Sequence, residues 1–439
     1  MKGRSLVFSA EPAPEIFIFV EAYHIPLQSP MRKSIFSISF PLIITLLAVI
    51  LSACNNPSPV NDTYVVMLSL DGFRWDYTDK FETPNFDRLA DEGVKADALI
   101  PCFPSKTFPN HYSMVTGLYP DHHGIVQNSF FDPATNRIYS IGNRETVEDE
   151  SFYEGEPIWV TAEKQGIRSA SYFWVGSEAP SGGMYPSIWK KYDQGLPFES
   201  RIDSVISWLE LPLGIRPRLV TFYMHEPDSK GHYLGPDNPE LGKTIVYLDS
   251  LLGDLMEKLA TLDISDQVNL IVTSDHGMCP VSPERYTDLA DYIDTSWVSM
   301  MIGYNPNFLA SANAGYYDSI ISQLDMIPHV SAWPSEGVPD RLNYGSNIRT
   351  LDFVFVADSS WSVGWRQGPS EHASGGHGYD IANTDVHAIF YARGPAFKPG
   401  YSHPRFSNTD IYSLIAHLLD LTPEPTDGDL DNVRSMLRN

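Results

Sequence analysis

The chain has 439 residues, enough to bury the core of one large domain or two ordinary ones. Asp and Glu number 55 against 30 Lys and Arg, a formal charge of −25. So acidic a protein repels polyphosphate backbones, which excludes polymeric nucleic acid as a partner, whereas small anions can still be bound where metal ions supply positive charge.

Residues 1–30 read as an upstream extension with no role of their own. A second beginning follows at Met31: Arg32 and Lys33 form a basic start, and Leu42 to Leu51 is an apolar run interrupted only by Thr45. Leu51-Ser52-Ala53-Cys54 then resembles a bacterial lipobox, where a signal peptide is cut and the cysteine is lipidated. The run is short for a membrane span, and the Asn/Pro/Ser-rich stretch at 54–62 suits a tether. The expectation is an exported lipoprotein of the bacterial cell envelope, held to the membrane through its lipid alone. With Cys54 so used, Cys102 and Cys279 remain, and the sequence does not decide whether they pair.

From residue 63 to about 433 the pattern is that of one α/β catalytic domain. Tyr64–Leu70 is a continuous apolar run ending at Asp71-Gly72, as buried parallel strands do. Thr83-Pro84-Asn85 opens a helix with Phe86, Leu89 and Ala90 on one side. Further strands are expected at 169–175, 219–224, 268–274 and 386–392. Helices are expected around Ile202–Leu209, Leu241–Leu259 and Ile411–Leu418, the second with leucines and an isoleucine spaced by threes and fours. Strands alternating with helices predict a three-layer α/β/α sandwich around a mostly parallel sheet. The Pro-, Gly- and Tyr-rich segment 278–368 reads as a smaller irregular insertion at the sheet edge.

The chemistry centres on Cys102–Pro120, CFPSKTFPNHYSMVTGLYP. Thr is a favoured N-cap and Pro suits a first turn, so Thr107 is expected at a helix N-terminus, the helix stopping at Gly117 and Pro120. Free N–H groups and the helix dipole favour an anion there, and a metal-assisted hydroxyl can become a nucleophile. Ligands of open α/β sheets gather at the carboxyl ends of strands. There lie Asp71, the stretch from His225 to His232, Asp275-His276, and, just before the last strand, Ser374-Gly375-Gly376-His377. Three carboxylates with three imidazoles form a ligand set for two divalent metals, hard enough for phosphate oxygen and nitrogen-rich enough for zinc.

The motifs SLDGFRWDY, PSKTFPNHYSMVTGLYPDHHGI, EPDSKGH, SDHGM and GGHGYD, in this order, resemble those of bacterial members of the nucleotide pyrophosphatase/phosphodiesterase family, within the alkaline phosphatase superfamily. The resemblance spans about Thr63 to Pro425 and implies an alkaline-phosphatase-like fold with two Zn2+ ions. It implies one zinc on Asp71, Thr107, Asp275 and His276, and the other on Asp228, His232 and His377. Thr107 would be the nucleophile, and Asn128 would donate to a phosphate oxygen. Phe108 and Tyr192 would sandwich a nucleobase, with Tyr223 lining the same pocket. The implied reaction is hydrolysis of nucleotide diesters and phosphoanhydrides to a nucleoside 5′-monophosphate by a monomer. The competing readings are a phosphomonoesterase or lipid-head-group phosphodiesterase of the same superfamily, and an inactive surface binding protein.

Overall fold

The computed structural model describes residues 62–370 and 373–438. The signal-peptide and lipobox readings, and the tether up to residue 61, lie outside the described residues. In chain order the strands used below begin with β1 (Tyr64–Leu70), β2 (Val94–Ala96), β3 (Ser169–Tyr172) and β4 (Ile188–Lys190). They continue with β5 (Leu219–Met224), β6 (Val268–Thr273), β7 (Val298–Tyr304) and β8 (Asn307–Ala312). The last four are β9 (Val330–Pro334), β10 (Phe353–Ala357), β11 (Phe390–Arg393) and β12 (Tyr401–His403). The helices are α1 (Pro84–Glu92), α2 (Thr107–Thr116), α3 (Ile158–Lys164), α4 (Phe198–Leu209), α5 (Asp228–Leu234), α6 (Leu241–Ala260) and α7 (Asp410–Leu418).

Eight strands form the main sheet in the order β12-β2-β11-β6-β1-β5-β3-β4. All of its pairings are parallel except those of β11, which runs against both β6 and β2. Every residue of central β1 is buried. Its alternate side chains serve two cores. Val65 and Met67 pack with residues of α2, α3 and α7, while Tyr64, Val66, Leu68 and Leu70 pack with residues of α1, α4 and α6. That division makes the expected three layers. Along α6, Leu241, Ile245, Leu248, Leu252, Leu255 and Leu259 are all buried. Each such side chain contributes about 1.5–3 kcal/mol on burial, more than the ~0.7 kcal/mol span of helix propensities, so packing fixes this helix.

Two strand ends differ from the sequence expectation by three or four residues, for local reasons. β3 stops at Tyr172 because Phe173 adopts a left-handed φ of 70°. β11 starts only at Phe390, because residues 384–386 wind into a 3-10 turn capped by the Asn383 side chain, which accepts from the Asp385 N–H. The insertion is more regular than its composition suggests: β7-β8-β10-β9 form a four-stranded antiparallel sheet. Ile320, Leu324, Phe353 and Phe355 lie in its own core. Cys102 and Cys279 are both free and buried, so they do not pair.

The N-terminus of α1 is capped from another helix. Thr83 makes no side-chain cap bond. Instead the buried Asp249 of α6 accepts from the Asn85 N–H at 2.9 Å, the Phe86 N–H at 3.0 Å and Asn85 Nδ2 at 2.9 Å. Removing this acceptor strands two backbone donors, so Asp249→Ala is expected to lower the unfolding free energy by about 1–3 kcal/mol, and Asp249→Asn by less. Denaturant titration reads the effect. An alanine variant with the wild-type midpoint would show that the cap contributes nothing.

Candidate active site

The three central strands end side by side, and each delivers an acidic residue. Asp71 follows β1, Asp228 opens α5 just beyond β5, and Asp275-His276 follow β6. Backbone contacts hold these ends together. The Asp228 N–H donates to the Asp71 carbonyl at 2.9 Å, and the Gly72 N–H to Asp275 Oδ1 at 3.2 Å. Gly72 has φ 70°, and a Cβ there would lie 2.9 Å from Asp228 Cα, so only glycine fits between the strand ends.

Two adjacent groups of donors result. In one, His276 Nε2 lies 3.4 Å from Asp71 Oδ1, 3.1 Å from Asp275 Oδ2 and 3.3 Å from Thr107 Oγ1. In the other, Asp228 Oδ1 lies 3.4 Å from His232 Nε2 and 3.5 Å from His377 Nε2, and the two nitrogens are 3.1 Å apart. The His276 and His377 rings stack with centroids 3.6 Å apart, which sets the groups side by side. His276 also comes close enough to Asp228 and His377 to serve the second group.

The donor set fits divalent ions. Donors around a tetrahedral ion at about 2.0–2.1 Å stand about 3.3 Å from one another, close to the separations found here. Asp71 Oδ1, Asp228 Oδ1 and Asp275 Oδ2 are buried with no hydrogen-bond partner, an arrangement that costs free energy unless a cation completes it. Their opposite oxygens are held where partners are available: Asp71 Oδ2 accepts from the Tyr223 hydroxyl at 2.6 Å, and Asp275 Oδ1 from Gly72. Each imidazole has its Nδ1 against a backbone carbonyl: His232 on Gly375 at 2.9 Å, His276 on Gly277 at 2.9 Å and His377 on Ser105 at 3.0 Å. A carbonyl only accepts, so Nδ1 carries the proton and the Nε2 lone pair faces the site. Burial and the charges of Asp275 and Asp228 push the Asp71 carboxyl well above its ordinary range. Burial, with His276, His232 and Lys106 nearby, holds His377 well below its own, in the neutral form that binds metals.

Thr107 opens α2 but does not cap it. Lys106, in extended conformation, occupies the N-cap position, and no side-chain cap bond is made. The Thr107 hydroxyl is thereby spared from capping and faces His276. The Lys106 ammonium turns away, donating to the Tyr304 and Asn305 carbonyls at 3.0 and 3.3 Å, and burial pushes it down to about 7. At the far end Gly117 terminates the helix in the left-handed region, as expected. Asn128 Oδ1 accepts the Phe108 N–H at 3.0 Å, which leaves its NH2 group free to donate beside Thr107.

A cavity of about 290 Å³ opens beside these groups, lined by Asp71, Thr107, Phe108, Trp174, Tyr192 and Tyr223 among others. Phe108 meets the edge of Tyr139 at 6.3 Å, and Tyr192 packs on Phe173 at 5.1 Å. All eleven residues singled out in the sequence thus gather at one end of the sheet. Tyr223 does more than line the cavity, because its hydroxyl orients Asp71.

Sequence reasoning missed three supporting residues. His111, one turn beyond Thr107, places Nδ1 2.9 Å from the Thr107 carbonyl and 3.3 Å from Asp275 Oδ2, with Nε2 2.8 Å from Ser69 Oγ. Its i, i+4 spacing from Thr107 was a usable signal. Trp174 Nε1 donates to the His111 carbonyl at 2.9 Å, and Glu178 accepts from the Tyr192 N–H at 3.0 Å and pairs with Arg144. Neither stands in a local pattern that would have marked it.

Comparison with known proteins shows the family. The family described as Type I phosphodiesterase / nucleotide pyrophosphatase matches residues 65–380. Human ectonucleotide pyrophosphatase/phosphodiesterase family member 5 is 35% identical over 376 residues, covering 85% of this chain and 78% of that protein. Human member 1 is 36% identical over 85% of this chain, and a venom phosphodiesterase of Crotalus durissus collilineatus 36% identical over 87%. The chain spans only 42% and 47% of those two proteins, respectively. Murine ectonucleotide pyrophosphatase/phosphodiesterase 5, solved as an inactive threonine-to-alanine form in complex with AMP, superposes with a TM-score of 0.82 at 35% identity, over 86% of this chain and all of that one. The chain belongs to the nucleotide pyrophosphatase/phosphodiesterase family.

Proposed function

We propose that this enzyme hydrolyses nucleotide phosphodiester and phosphoanhydride bonds to release a nucleoside 5′-monophosphate, through a nucleotidyl-threonine intermediate. The observation that carries the reading is the Thr107 hydroxyl, unused in capping, set between partnerless carboxylate oxygens and a cavity walled by Phe108 and Tyr192. The AMP held by the murine relative, in a form inactivated at a threonine, supports both product and nucleophile.

Asp71, Thr107, Asp275 and His276 would hold one metal, and Asp228, His232 and His377 the other. Three imidazole nitrogens favour zinc over magnesium, so the pair is assigned as two zinc ions. When bound, the ions acidify the nucleophile and neutralise charge on the phosphoryl and departing oxygens. Thr107 Oγ gives up its proton to solvent and attacks the α-phosphorus. The Oγ–P bond forms as the bond to the leaving oxygen breaks. The Asn128 amide and the Thr107 N–H donate to the non-bridging oxygens, since Pro109 has no N–H and those of Phe108 and Asn110 are given to Asn128 Oδ1 and the Lys106 carbonyl. Water then attacks from the vacated side, the P–Oγ bond breaks, and the monophosphate leaves with Thr107 restored. Phe108 and Tyr192 hold the base by stacking, which tolerates any base because each has a π-face. Every candidate ligand comes from this chain, so the proposed site needs no second subunit.

Thr107→Ala is expected to keep two zinc ions per chain by metal analysis yet lose essentially all turnover. Tyr192→Ala is expected to cost about 5- to 150-fold on ATP or a dinucleotide, the equivalent of one stacking contact, and far less on a base-free aryl diester. Retained activity in the first variant would remove covalent catalysis. Equal losses on both substrates in the second would remove the base clamp and favour lipid-head-group diesters.

The reading extends to location. The basic start, apolar run and Cys54 support export of a bacterial lipoprotein anchored through Cys54. Among the described residues, no helix is long and apolar enough to cross a membrane. On the lipobox reading, Cys54→Ala is expected to abolish lipid labelling and leave an unprocessed precursor in bacterial cells. Unchanged labelling and membrane recovery of the variant would refute the anchor.

A further inference from the structure

Arg349 belongs to the insertion, yet it is only 5% exposed and makes its main contacts with the catalytic body. Nη1 donates to the Gly124 carbonyl at 2.9 Å and the Phe152 carbonyl at 2.7 Å. Nη2 donates to Asp132 Oδ2 at 3.2 Å and the Ser151 carbonyl at 3.3 Å. The guanidinium also lies over the rings of Phe130 and Phe152, at 5.3 and 5.8 Å. Gly124 is shaped for this approach: it has φ 78°, and a Cβ would meet Nη1 at 2.3 Å. The same stretch of the insertion supplies Tyr344, whose hydroxyl donates to the Val126 carbonyl at 3.0 Å.

These contacts bracket one residue. Gly124 and Asp132 stand four positions before and four after Asn128, and Val126 lies between Gly124 and Asn128. A second route reaches the same place. Phe130, under the guanidinium, stacks on Tyr139 at 4.9 Å, Tyr139 meets Phe108, and the Phe108 N–H is bound by Asn128. Without Arg349, the carbonyls of Gly124 and Phe152 and the Asp132 carboxylate would be buried short of donors, and the segment between them would lose its fixed geometry.

We propose that Arg349 is the positioning residue for Asn128: with its guanidinium the insertion clamps both ends of the 124–132 segment, holding the Asn128 amide where a phosphoryl oxygen binds. The inference rests on the role given to Asn128 above. It assigns the insertion a part in turnover, although it contributes no group to the site.

The test is a double-mutant comparison with bis(4-nitrophenyl) phosphate as substrate, which has no base to bind. Asn128→Ala alone is expected to lower kcat about 100-fold or more, as loss of an oxyanion donor does. Arg349→Met is expected to lower kcat about 10- to 100-fold with little change in KM and with zinc content intact, because displacing a positioned group by about 1 Å costs that much. In the Asn128→Ala background the same Arg349→Met change is expected to cost less than about twofold, since the group it positions is gone. Arg349→Lys, which keeps the cation and part of the bonding, is expected to fall between wild type and Met, and it carries the same comparison if the Met chain does not fold. Equal fold-losses in both backgrounds would overturn the proposal and leave Arg349 a purely structural residue. A wild-type kcat for Asn128→Ala would instead overturn the reading of Asn128 on which it stands.

Discussion

Three carboxylates are brought within a few ångströms of one another at the centre of a buried sheet edge, and three of their oxygens have no partner there. Most of the molecule's organisation answers to this concentration of negative charge. The strand order puts β1 between β5 and β6, so that residues from three separate stretches of chain meet. The imidazoles present Nε2, while backbone carbonyls occupy Nδ1. Burial and the neighbouring charges of Asp275 and Asp228 push Asp71 toward its protonated form. Cations of matching size would satisfy the cluster, and the same cations would lend an acidic protein the positive potential that a phosphate needs.

Much of this was legible in the sequence because the relevant signals are local. A continuous apolar run ending in Asp71-Gly72, and leucines spaced by threes and fours before Leu259, each report their surroundings directly. The chemistry-bearing residues lie at strand ends or beside glycines, where short motifs are informative. Less visible was whatever depends on contacts between distant segments. The stop of β3 at a left-handed Phe173 leaves no mark in the pattern of residue types. The insertion's sheet is built from short strands rich in small and aromatic residues, so its periodicity is weak. Thr107 was read as a cap because its residue type fits one. Tertiary contacts instead give that position to Lys106, whose side chain is held by the insertion.

The aromatic wall and the clustered donor groups are built from different parts of the fold. The donors sit on strand ends and on the helices and loops that directly follow or neighbour them. By contrast, Trp174 and Glu178 come from the connection between β3 and β4, and Tyr192 from just beyond β4, held together by Trp174 on His111 and Glu178 on Tyr192. Phe108 links the two, since its backbone N–H belongs to Asn128 and its ring belongs to the cavity.

Gly72 lies so close to Asp228 that no side chain can stand between the ends of β1 and β5, and backbone hydrogen bonds close the remaining space. The spacing of the two candidate donor groups is therefore inherited from the pitch of the parallel sheet, not negotiated by rotamers. Such a frame behaves like a fixed gauge. Loops around it can be lengthened, repacked or exchanged, changing which organic group is admitted, while the distance across the reacting phosphorus stays the same.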